Sequence, residues 1–242
     1  MLGKYTILRG IFEQKYIIGI LKKQIIKTLD GSNTIFIPEY HETYHSRYGA
    51  IQESLHVFVS SGLKFKTELN DINVLEIGFG TGLNTLLTFI HSEETKKNIK
   101  YTSVEAYPLK WNLLSQLNYI DIIFNGKYFA VYEEIHKCLW ESFSVLSPNF
   151  MLRKQNIKLQ NVLFESEFDV IYFDAFAPRV QSELWTEHIF TSMYMALKPG
   201  GVLVTYCAKG SVKRTLKSVG FDLQSIPGPP GRREMTRAIK PI

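Results

Sequence analysis

The stretch that decides the fold is residues 72–92, INVLEIGFGTGLNTLLTFIHS. It opens with a short run rich in branched apolar residues, which is typical of a β-strand. Three alternating glycines follow, and a mostly apolar segment then favours a helix. Glycines at a strand-to-helix turn let backbone N–H groups approach a ligand closely. The stretch therefore predicts a strand, a ligand-binding turn and a helix in succession.

The same alternation of strands and helices continues along the chain. A second strand is predicted from Lys100 to Ala106, with Pro108 placed for a helix start. FDVIYFDAF, residues 168–176, is apolar almost throughout, as expected for a strand covered on both faces. We also predict a helix from Glu183 to Leu197, the strand VLVTYCA, a helix after Gly210, and two final runs, FDLQSIPG and REMTRAIK.

This order predicts an α/β fold with a Rossmann-like, mostly parallel open sheet. The last two runs are joined by a Pro-Pro-Gly turn and favour an antiparallel edge. Residues 71–242 are expected to form this main domain.

Residues 1–70 differ from the main domain and are expected to form a small extension that covers the active-site side. Asp30-Gly31 lies between two apolar runs, which is a hairpin signal. Apolar residues then recur on a helical period over residues 51–59, and Gly62 closes that segment. The extension is therefore predicted as a β-hairpin followed by a helix.

Composition excludes several classes of protein. The chain has 242 residues, 45% of them hydrophobic and 21% charged, which is ordinary for a folded domain and excludes disorder for the bulk of the chain. Cys138 and Cys207 are too few for a disulfide scaffold or a four-thiolate zinc site. Charged residues interrupt the N-terminal segment 1–24, so neither a secretory signal nor a membrane span is expected. The expected location is the cytoplasm.

The net charge of +5 is unevenly distributed. From Lys198 to Ile242 there are nine Lys and Arg residues and two acidic residues, whereas the rest of the chain has 19 basic and 21 acidic residues. A basic C-terminal part favours an anionic partner. Solubilising lysines are the alternative explanation.

The glycine turn has a chemical signature of its own. Its spacing is G-x-G-x-G, without the third glycine of the dinucleotide-binding fingerprint. Glu76, two residues before Gly78, would repel a pyrophosphate and suits a ligand that carries an ammonium group. The arrangement resembles motif I of class I S-adenosylmethionine-dependent methyltransferases. A purely structural glycine turn is the alternative.

Two further acids follow predicted strands. Glu105 ends the second strand, where an acid in open α/β folds accepts hydrogen bonds from ribose hydroxyls. Asp174 ends the buried strand, at the edge where such sheets place their active sites. A solvated glutamate and a loop-capping aspartate are the respective alternatives.

Taken in order, the motifs GFGTGLN, DAFAP, ELWT, LKPGG, VTYCAKG and GPPGRREM resemble the methyltransferase unit of the MnmC/MnmD tRNA-modification family. DGSNTIFIPEYHETYHSRYGAIQES resembles the N-terminal part of its stand-alone members, so the likeness covers about residues 28–240. The resemblance implies transfer of a methyl group from S-adenosylmethionine to the exocyclic amine of 5-aminomethyl-2-thiouridine at the tRNA wobble position. It also implies Asp174 as the catalytic residue that orients the amine and takes up its proton.

The resemblance and the motifs together assign the remaining site residues. The residues expected to bind the cofactor are Glu76, Gly78, Phe79, Gly80, Gly82, Asn84, Glu105 and, as a guess for the adenine contact, Asn156. Those expected to contact the substrate tRNA are Arg179, Trp185, Lys209, Arg232 and Arg233. Trp185 would stack on a base, with a core position as the equal alternative. His45 with Ser46, Gly49 and Glu53 is a further candidate group for the cofactor pocket, and a helix cap is the simpler role for Ser46.

Two absences are expected. The fused family members carry a flavin-dependent oxidoreductase domain, and this chain is too short for it, so no flavin is predicted. The sparse His and Cys residues predict no metal site. No membrane and no obligate protein partner are expected.

Two other functions stay open at this point. A small-molecule N-methyltransferase or an aminopropyltransferase would use the same fold, although the basic C-terminal part would repel small cationic amines. A non-catalytic module that binds a cofactor or RNA is the other alternative, although it would not need Asp174 beside the glycine turn.

Overall fold

The computed structural model describes residues 21–123 and 125–242. The predictions for residues 1–20, including the lack of a secretory signal, lie outside this part. Residues 21–66 open with a three-stranded antiparallel sheet, β1 (Gln24–Lys27), β2 (Asn33–Ile37) and β3 (Glu42–Thr43). The hairpin predicted at Asp30-Gly31 is confirmed, because β1 pairs with β2 on either side of it.

The helix predicted before Gly62 is present, but only its first part is α-helical. Helix α1 (Ala50–Ser54) continues as a π-helical segment, Leu55–Ser60. The N-cap of α1 is Gly49, and the Ser46 hydroxyl instead accepts a hydrogen bond from the Tyr48 backbone N–H. Ser46 is therefore not the helix cap suggested by the sequence.

The main body is an eight-stranded sheet. Its strands are β4 (Asp71–Ile77), β5 (Asn98–Val104), β6 (Phe143–Ser147), β7 (Phe150–Gln155), β8 (Phe168–Phe173), β9 (Leu197–Thr205), β10 (Asp222–Pro227) and β11 (Glu234–Ile239). Their order across the sheet is β10-β11-β9-β8-β4-β5-β7-β6. The five strands from β9 to β7 are parallel, and the last two strands form an antiparallel edge. The predicted Rossmann-like fold is confirmed.

Both faces of the sheet are covered, which explains why β8 has almost no polar residue. Val170 and Tyr172 point into one hydrophobic core, whereas Ile171 and Phe173 point into the other. Side chains alternate across a strand, so a strand between two cores is apolar on both faces, and Asp169 near the start of β8 is the charged exception. The first core includes residues of α2 (Leu83–Thr95), and the second includes residues of α6 (Glu187–Ala196) and α7 (Gly210–Val219).

Two helix boundaries differ from the predictions. The segment expected to be helical from Glu183 begins instead with a 3₁₀ turn, Ser182–Leu184, and α6 starts only at Glu187. The Trp185 indole turns into the core between them and interrupts the helix. Pro108 does not start a helix either, since α3 (Trp111–Leu114) begins three residues later.

Residues 107–161 carry elements that the sequence did not indicate. They contain α3, α4 (Tyr119–Ile122), α5 (Phe129–Lys137) and the strand β6, which runs antiparallel to β7 and gives the sheet a second antiparallel edge. The residues described include no helix that is long and apolar enough to cross a membrane.

The order of the strands fixes the place of a site. The chain passes from β4 to β5 and β7 on one side, and then returns to β8 on the other side of β4. The loops after β4 and β8 therefore begin side by side and then lead to opposite sides of this point, which leaves a crevice at the carboxyl edge of the sheet, where open α/β folds bind their ligands.

Candidate active site

A cavity of about 1440 Å³, including the part open to solvent, lies at this carboxyl edge. Its walls are the loops that follow β4, β5, β8 and β9, together with residues 42–46 of the N-terminal extension and residues 157–160 before β8. The extension thus contributes residues to the cavity wall.

The glycine turn forms one wall, and its backbone requires glycine. Gly78, Gly80 and Gly82 all have positive φ angles, of +91°, +50° and +70°, a region that other residues adopt rarely. A Cβ on Gly78 would lie 2.6 Å from the backbone oxygen of Asp174, so this position also lets the loops after β4 and β8 approach each other. The backbone conformation and the close packing therefore both require glycine at position 78.

Asp174 lies directly after β8 and faces the cavity. Its Oδ2 accepts a hydrogen bond of 2.9 Å from the Asn84 side-chain amide of α2, a buried residue. Removal from bulk water and the nearby negative charge of Glu53 raise the pKa of Asp174 well above its usual range, and the Asn84 hydrogen bond only partly offsets this. The carboxylate is therefore a stronger base than an exposed aspartate.

Glu105 lies at the end of β5, opposite Asp174. Its carboxylate accepts hydrogen bonds from the backbone N–H groups of Gly80 at 3.1 Å and Tyr107 at 2.8 Å. Burial raises the pKa of Glu105 despite these hydrogen bonds. The carboxylate therefore links the glycine turn to the end of β5 and lines the cavity, where an acid of this fold binds ribose hydroxyls.

The extension is fixed to the glycine turn by specific contacts. The His45 ring Nε2 lies 2.7 Å from the Thr81 hydroxyl, and burial lowers the pKa of His45 to about 4, so that the ring is neutral at pH 7. The Tyr44 ring lies edge-on to Phe176, with centroids 5.0 Å apart, and also lies against Gly80. The extension therefore shapes the cavity wall next to the turn.

The cavity is strongly acidic. The carboxylates among its lining residues are Glu42, Glu53, Glu105, Asp174 and Glu183, and the cationic side chains are Lys158 and Arg232. A wall with this charge favours cationic ligands.

The residues present fit S-adenosylmethionine. The Asn84 side-chain oxygen is buried without a hydrogen-bond partner at the base of the cavity, next to the Asp174 carboxylate. Gly78 and Gly80 lack the side chains that would fill the turn, and Glu105 is placed for hydroxyl groups. These groups would hold a ligand that combines hydroxyls, an ammonium group and a sulfonium centre.

Comparison with known proteins identifies the chemistry of this fold. Residues 130–241 match the sequence model of a family described as S-adenosyl-L-methionine-dependent methyltransferase. The bifunctional tRNA 5-methylaminomethyl-2-thiouridine biosynthesis proteins MnmC of Marinomonas sp. and Cupriavidus necator are 26% and 27% identical to 82% and 87% of this chain. The chain spans about a third of their lengths, 31% and 33%.

Among solved structures, MnmC2 of Aquifex aeolicus has a TM-score of 0.75 and 27% sequence identity, over 92% of this chain and 73% of that one. This chain is therefore similar to S-adenosylmethionine-dependent methyltransferases over residues 130–241 and to the MnmC proteins over most of its length. Spermidine synthase of Thermotoga maritima, with a TM-score of 0.51 and 16% identity over 91% of this chain and 74% of its own, shares the fold alone.

His45, Ser46 and Glu53 of the further candidate group line the cavity, whereas Gly49 does not. Of the residues expected to catalyse the reaction or to bind the cofactor or tRNA, seven line the cavity. They are Gly78, Phe79, Gly80, Asn84, Glu105, Asp174 and Arg232. They come from four separate loops and one helix, so the fold brings together what the sequence spreads over about 150 residues. Their roles toward cofactor and substrate stay predictions.

Glu76 and Gly82 lie behind the turn instead of in the cavity wall. The Glu76 carboxylate is fully buried and accepts hydrogen bonds from the hydroxyls of Ser103 at 2.6 Å and Thr85 at 3.2 Å. The Cβ of any other residue at position 82 would lie 2.8 Å from the His136 ring. Both residues support the turn from beneath, and the direct contact of Glu76 with a ligand's ammonium group that the sequence predicts stays a prediction.

The structure also places Asn156 and Trp185 outside the cavity wall, unlike the positions expected from the sequence. The Asn156 side chain donates a hydrogen bond of 2.9 Å to the Glu105 backbone oxygen and does not line the cavity, whereas residues 157–160 do. Trp185 is 6% exposed, its indole N–H donates to the Phe176 backbone oxygen, and its ring packs edge-on against Phe173. Trp185 therefore belongs to the core and is not available to stack on a base.

Arg179 has a structural task. Its guanidinium group donates to the backbone oxygens of Tyr40 and His41 and forms a 2.7 Å ion pair with Glu42. It thereby fastens the extension to the loop after β8 and does not line the cavity. A direct contact of Arg179 with tRNA at the pocket mouth is not supported by this arrangement. Lys209 and Arg233 are exposed outside the cavity, where a polymer could reach them.

Several cavity residues had not been anticipated from the sequence. They are Tyr44, Tyr107, Tyr206 and Glu183, together with residues 157–160. Tyr206 follows the end of β9 by one residue, and its hydroxyl donates a 2.8 Å hydrogen bond to the Ala175 backbone oxygen. The rule that sites lie at the carboxyl ends of parallel strands would have indicated Tyr206, but no such signal exists for Tyr44, which precedes the sheet.

Proposed function

We propose that this methyltransferase modifies tRNA, and that its substrate is the exocyclic primary amine of 5-aminomethyl-2-thiouridine at the wobble position. The observation that carries the proposal is the acidic cavity with Asp174 in its wall, beside the glycine turn. An acidic wall attracts both a cationic methyl donor and an ammonium group. The MnmC relatives supply the substrate class, since their names specify biosynthesis of 5-methylaminomethyl-2-thiouridine in tRNA.

An amine substrate must lose a proton before it can accept a methyl group. A primary alkylamine with a pKa near that of lysine, ~10.4, is about 3.4 units from neutrality at pH 7, which corresponds to roughly 4.6 kcal/mol. Conjugation to the uracil ring and a site removed from bulk water lower this cost. The raised pKa of Asp174 lowers it further, because the carboxylate then accepts the proton less unfavourably.

The protein's own residues would act as follows. Asn84 fixes the orientation of the Asp174 carboxylate through its amide hydrogen bond. Asp174 holds the amine by hydrogen bonding and takes up its proton on a carboxylate oxygen. General-base assistance of this kind is typically worth 10²–10⁴-fold in rate. The Gly78–Gly82 turn and Glu105 would hold the cofactor, which supplies an electrophilic methyl group on a sulfonium.

The proposal is tested with tRNA isolated from a strain that lacks the final methyl group. The protein is incubated with this tRNA and S-adenosylmethionine labelled in the methyl group, and the tRNA is then digested to nucleosides. We expect the label in 5-methylaminomethyl-2-thiouridine. Label in another nucleoside would reassign the substrate, and no label in tRNA would contradict the proposal.

A second candidate is transfer to a free small amine, because the same acidic cavity would attract it. The basic C-terminal part disfavours this function, since it repels free cations. Polyamines and other small primary amines are therefore included as substrates in the same assay. Faster labelling of these amines than of the tRNA would favour the second candidate.

A further inference from the structure

Glu53 is a second carboxylate in the cavity wall, and the mechanism above does not use it. It belongs to α1 of the extension, and its side chain is only 9% exposed. Its Oε2 accepts a 2.6 Å hydrogen bond from the Ser46 backbone N–H. Its Oε1 has a looser partner, the Arg232 guanidinium Nε at 3.6 Å.

Glu53 lies close to Asp174. Both residues line the cavity, and the charge of Glu53 contributes to the raised pKa of Asp174. Two carboxylates that come from different parts of the chain, α1 and the loop after β8, therefore face one space. Repulsion between them disfavours this arrangement unless a cation compensates it.

Arg232 is the cation that compensates Glu53 in the free protein. It lies on the loop between β10 and β11, its side chain is 44% exposed, and its guanidinium group stacks over the Tyr206 ring with 4.6 Å to the centroid. The 3.6 Å separation from Glu53 is longer than a charge-assisted hydrogen bond of about 2.7–2.9 Å. A cation that pairs more closely with Glu53 could therefore replace it.

We propose that Glu53 is a second carboxylate, beside Asp174, that binds the substrate amine. In the free protein Arg232 is the cationic partner of Glu53, and the ammonium group of the substrate displaces Arg232. This inference rests on the proposed function, because it takes the substrate to be a primary amine. An ammonium group has three N–H donors. Asp174 and Glu53 offer it oxygens from two directions, which fixes the direction of the nitrogen lone pair once one proton has left.

The displaced Arg232 would remain on an exposed loop. There its guanidinium group could pair with a phosphate of the bound tRNA. Amine recognition and polymer contact would then depend on the same side chain, and the amine site would be fully available only when tRNA is bound.

A structural role is the competing explanation. The hydrogen bond from the Ser46 N–H already ties Glu53 to the extension, and the Arg232 pair could simply anchor the β10–β11 loop. Glu53→Gln separates the two explanations, because an amide oxygen still accepts the Ser46 N–H but carries no charge. Arg232→Gln removes the competing cation and leaves the Glu53 carboxyl group in place.

The experiment measures how strongly the protein prefers an amine. Two synthetic anticodon stem-loops are compared, identical except that the wobble base is 5-aminomethyl-2-thiouridine in one and 5-methyl-2-thiouridine in the other. Equilibrium binding to the full chain is measured in the presence of S-adenosylhomocysteine. The ratio of the two Kd values isolates the effect of the amine, because contacts that do not depend on the amine cancel.

We expect Glu53→Gln to reduce the amine preference about tenfold or more, since a hydrogen bond between charged groups is lost. Arg232→Gln should increase the preference, even if both loops then bind more weakly. Asp169→Asn is the matched control. Asp169 is similarly buried, accepts a hydrogen bond from one backbone N–H, that of Asn73, and forms an ion pair with one partly exposed cation, Lys198. It lies near the start of β8, away from the cavity. Its amine preference should equal that of the wild type.

Several outcomes would overturn the inference. An unchanged preference in Glu53→Gln would leave Glu53 with a structural role only. A decrease in both Glu53→Gln and Arg232→Gln would show that the pair acts as one structural unit, and not as competitors. A wild-type protein that binds both loops equally would remove the amine site altogether. Failure to label the tRNA in the methylation assay would instead contradict the proposed function, which keeps the two failures distinct.

Discussion

Asp174 illustrates how one residue acquires a chemical role from its surroundings. An exposed aspartate is a weak base, whereas this one is desolvated, lies near Glu53 and accepts a hydrogen bond from the Asn84 side chain. Acid groups with perturbed pKa values in a cleft are typical of functional sites. Two predictions belong to this scale.

The first prediction concerns proton uptake. Asp174→Asn keeps the size of the side chain and can still accept the Asn84 hydrogen bond, but it cannot accept a proton. We expect turnover to fall ~10²-fold or more, with the affinity for S-adenosylmethionine unchanged. Single-turnover methylation and calorimetry measure these quantities, and Asp169→Asn, on the strand that precedes Asp174, is the control. Turnover like that of the wild type would contradict the role of Asp174 as a base.

The second prediction concerns Glu76, whose pKa burial raises from 4.5 to about 7. Between these values the folded protein binds a proton more tightly than the unfolded chain does. Stability therefore falls as pH rises through this range, by up to about 1.4 kcal/mol per pH unit. Glu76→Gln removes this dependence, so its stability relative to the wild type should increase with pH.

Urea unfolding at several pH values between 4.5 and 8 measures the effect. Glu68→Gln, at an acid whose side chain is 60% exposed, serves as the control. A stability difference between Glu76→Gln and the wild type that does not vary with pH would mean that Glu76 is not a buried titrating group.

At the scale of elements, the glycine turn joins β4 to α2 and also sets the distance between neighbouring loops. Its three glycines face different neighbours: the Asp174 backbone at Gly78, Tyr44 of the extension at Gly80 and His136 of α5 at Gly82. The turn is therefore the point at which the sheet, the extension and α5 meet. Gly80 has the least crowded Cβ position of the three, 3.3 Å from the Tyr44 ring, compared with contacts of 2.6 Å at Gly78 and 2.8 Å at Gly82. A substitution at Gly80 therefore tests binding more than folding.

The third prediction follows from this difference. Gly80→Val places a β-branched residue at a φ of +50°, with its Cβ 3.3 Å from the Tyr44 ring. We expect the affinity for S-adenosylmethionine to fall at least tenfold while the circular-dichroism spectrum is retained. Gly126→Val is the matched control, because Gly126 has a φ of +85° but nothing within 4 Å of its Cβ position. Equal affinities of Gly80→Val and the wild type, measured by calorimetry, would remove the turn from the cofactor site.

At the scale of the whole molecule, charge is segregated. The cavity wall is acidic, whereas the C-terminal part carries the excess of positive charge. Arg232 lies between the two, in the cavity wall and paired with Glu53. A test of phosphate contacts is therefore made with Lys209 and Arg233, which are exposed outside the cavity.

The fourth prediction compares two double variants that remove the same net charge from different places on the surface. Lys209→Gln with Arg233→Gln should flatten the slope of log affinity for tRNA against log salt by roughly one to two units and raise the tRNA KM. Lys96→Gln with Lys217→Gln removes the same charge at the ends of α2 and α7, on the opposite edge of the sheet, and should leave the slope nearly unchanged. Equal effects of the two double variants would indicate that the basic residues act only through net charge.

Much of the fold was determined by local sequence. The glycine turn, the hairpin at Asp30-Gly31 and the apolar strand β8 each have a local cause, namely backbone conformation, turn geometry and burial of both faces. The alternation of these elements then implied a parallel sheet with its site at the carboxyl edge. Asp174 and Glu105 could be placed at that edge because a strand end is visible in the sequence.

Only the tertiary structure decided which side chains meet. Trp185 looked equally suited to the core and to a base, and packing against Phe173 placed it in the core. Glu76 was expected to face the ligand and lies beneath the turn, because alternation along β4 directs its side chain toward Ser103. Glu53 faces Asp174 although 120 positions separate them in the chain. Such contacts depend on how the extension packs on the sheet. That packing is the sum of many weak interactions between residues that are far apart in the chain, and no local sequence pattern encodes it.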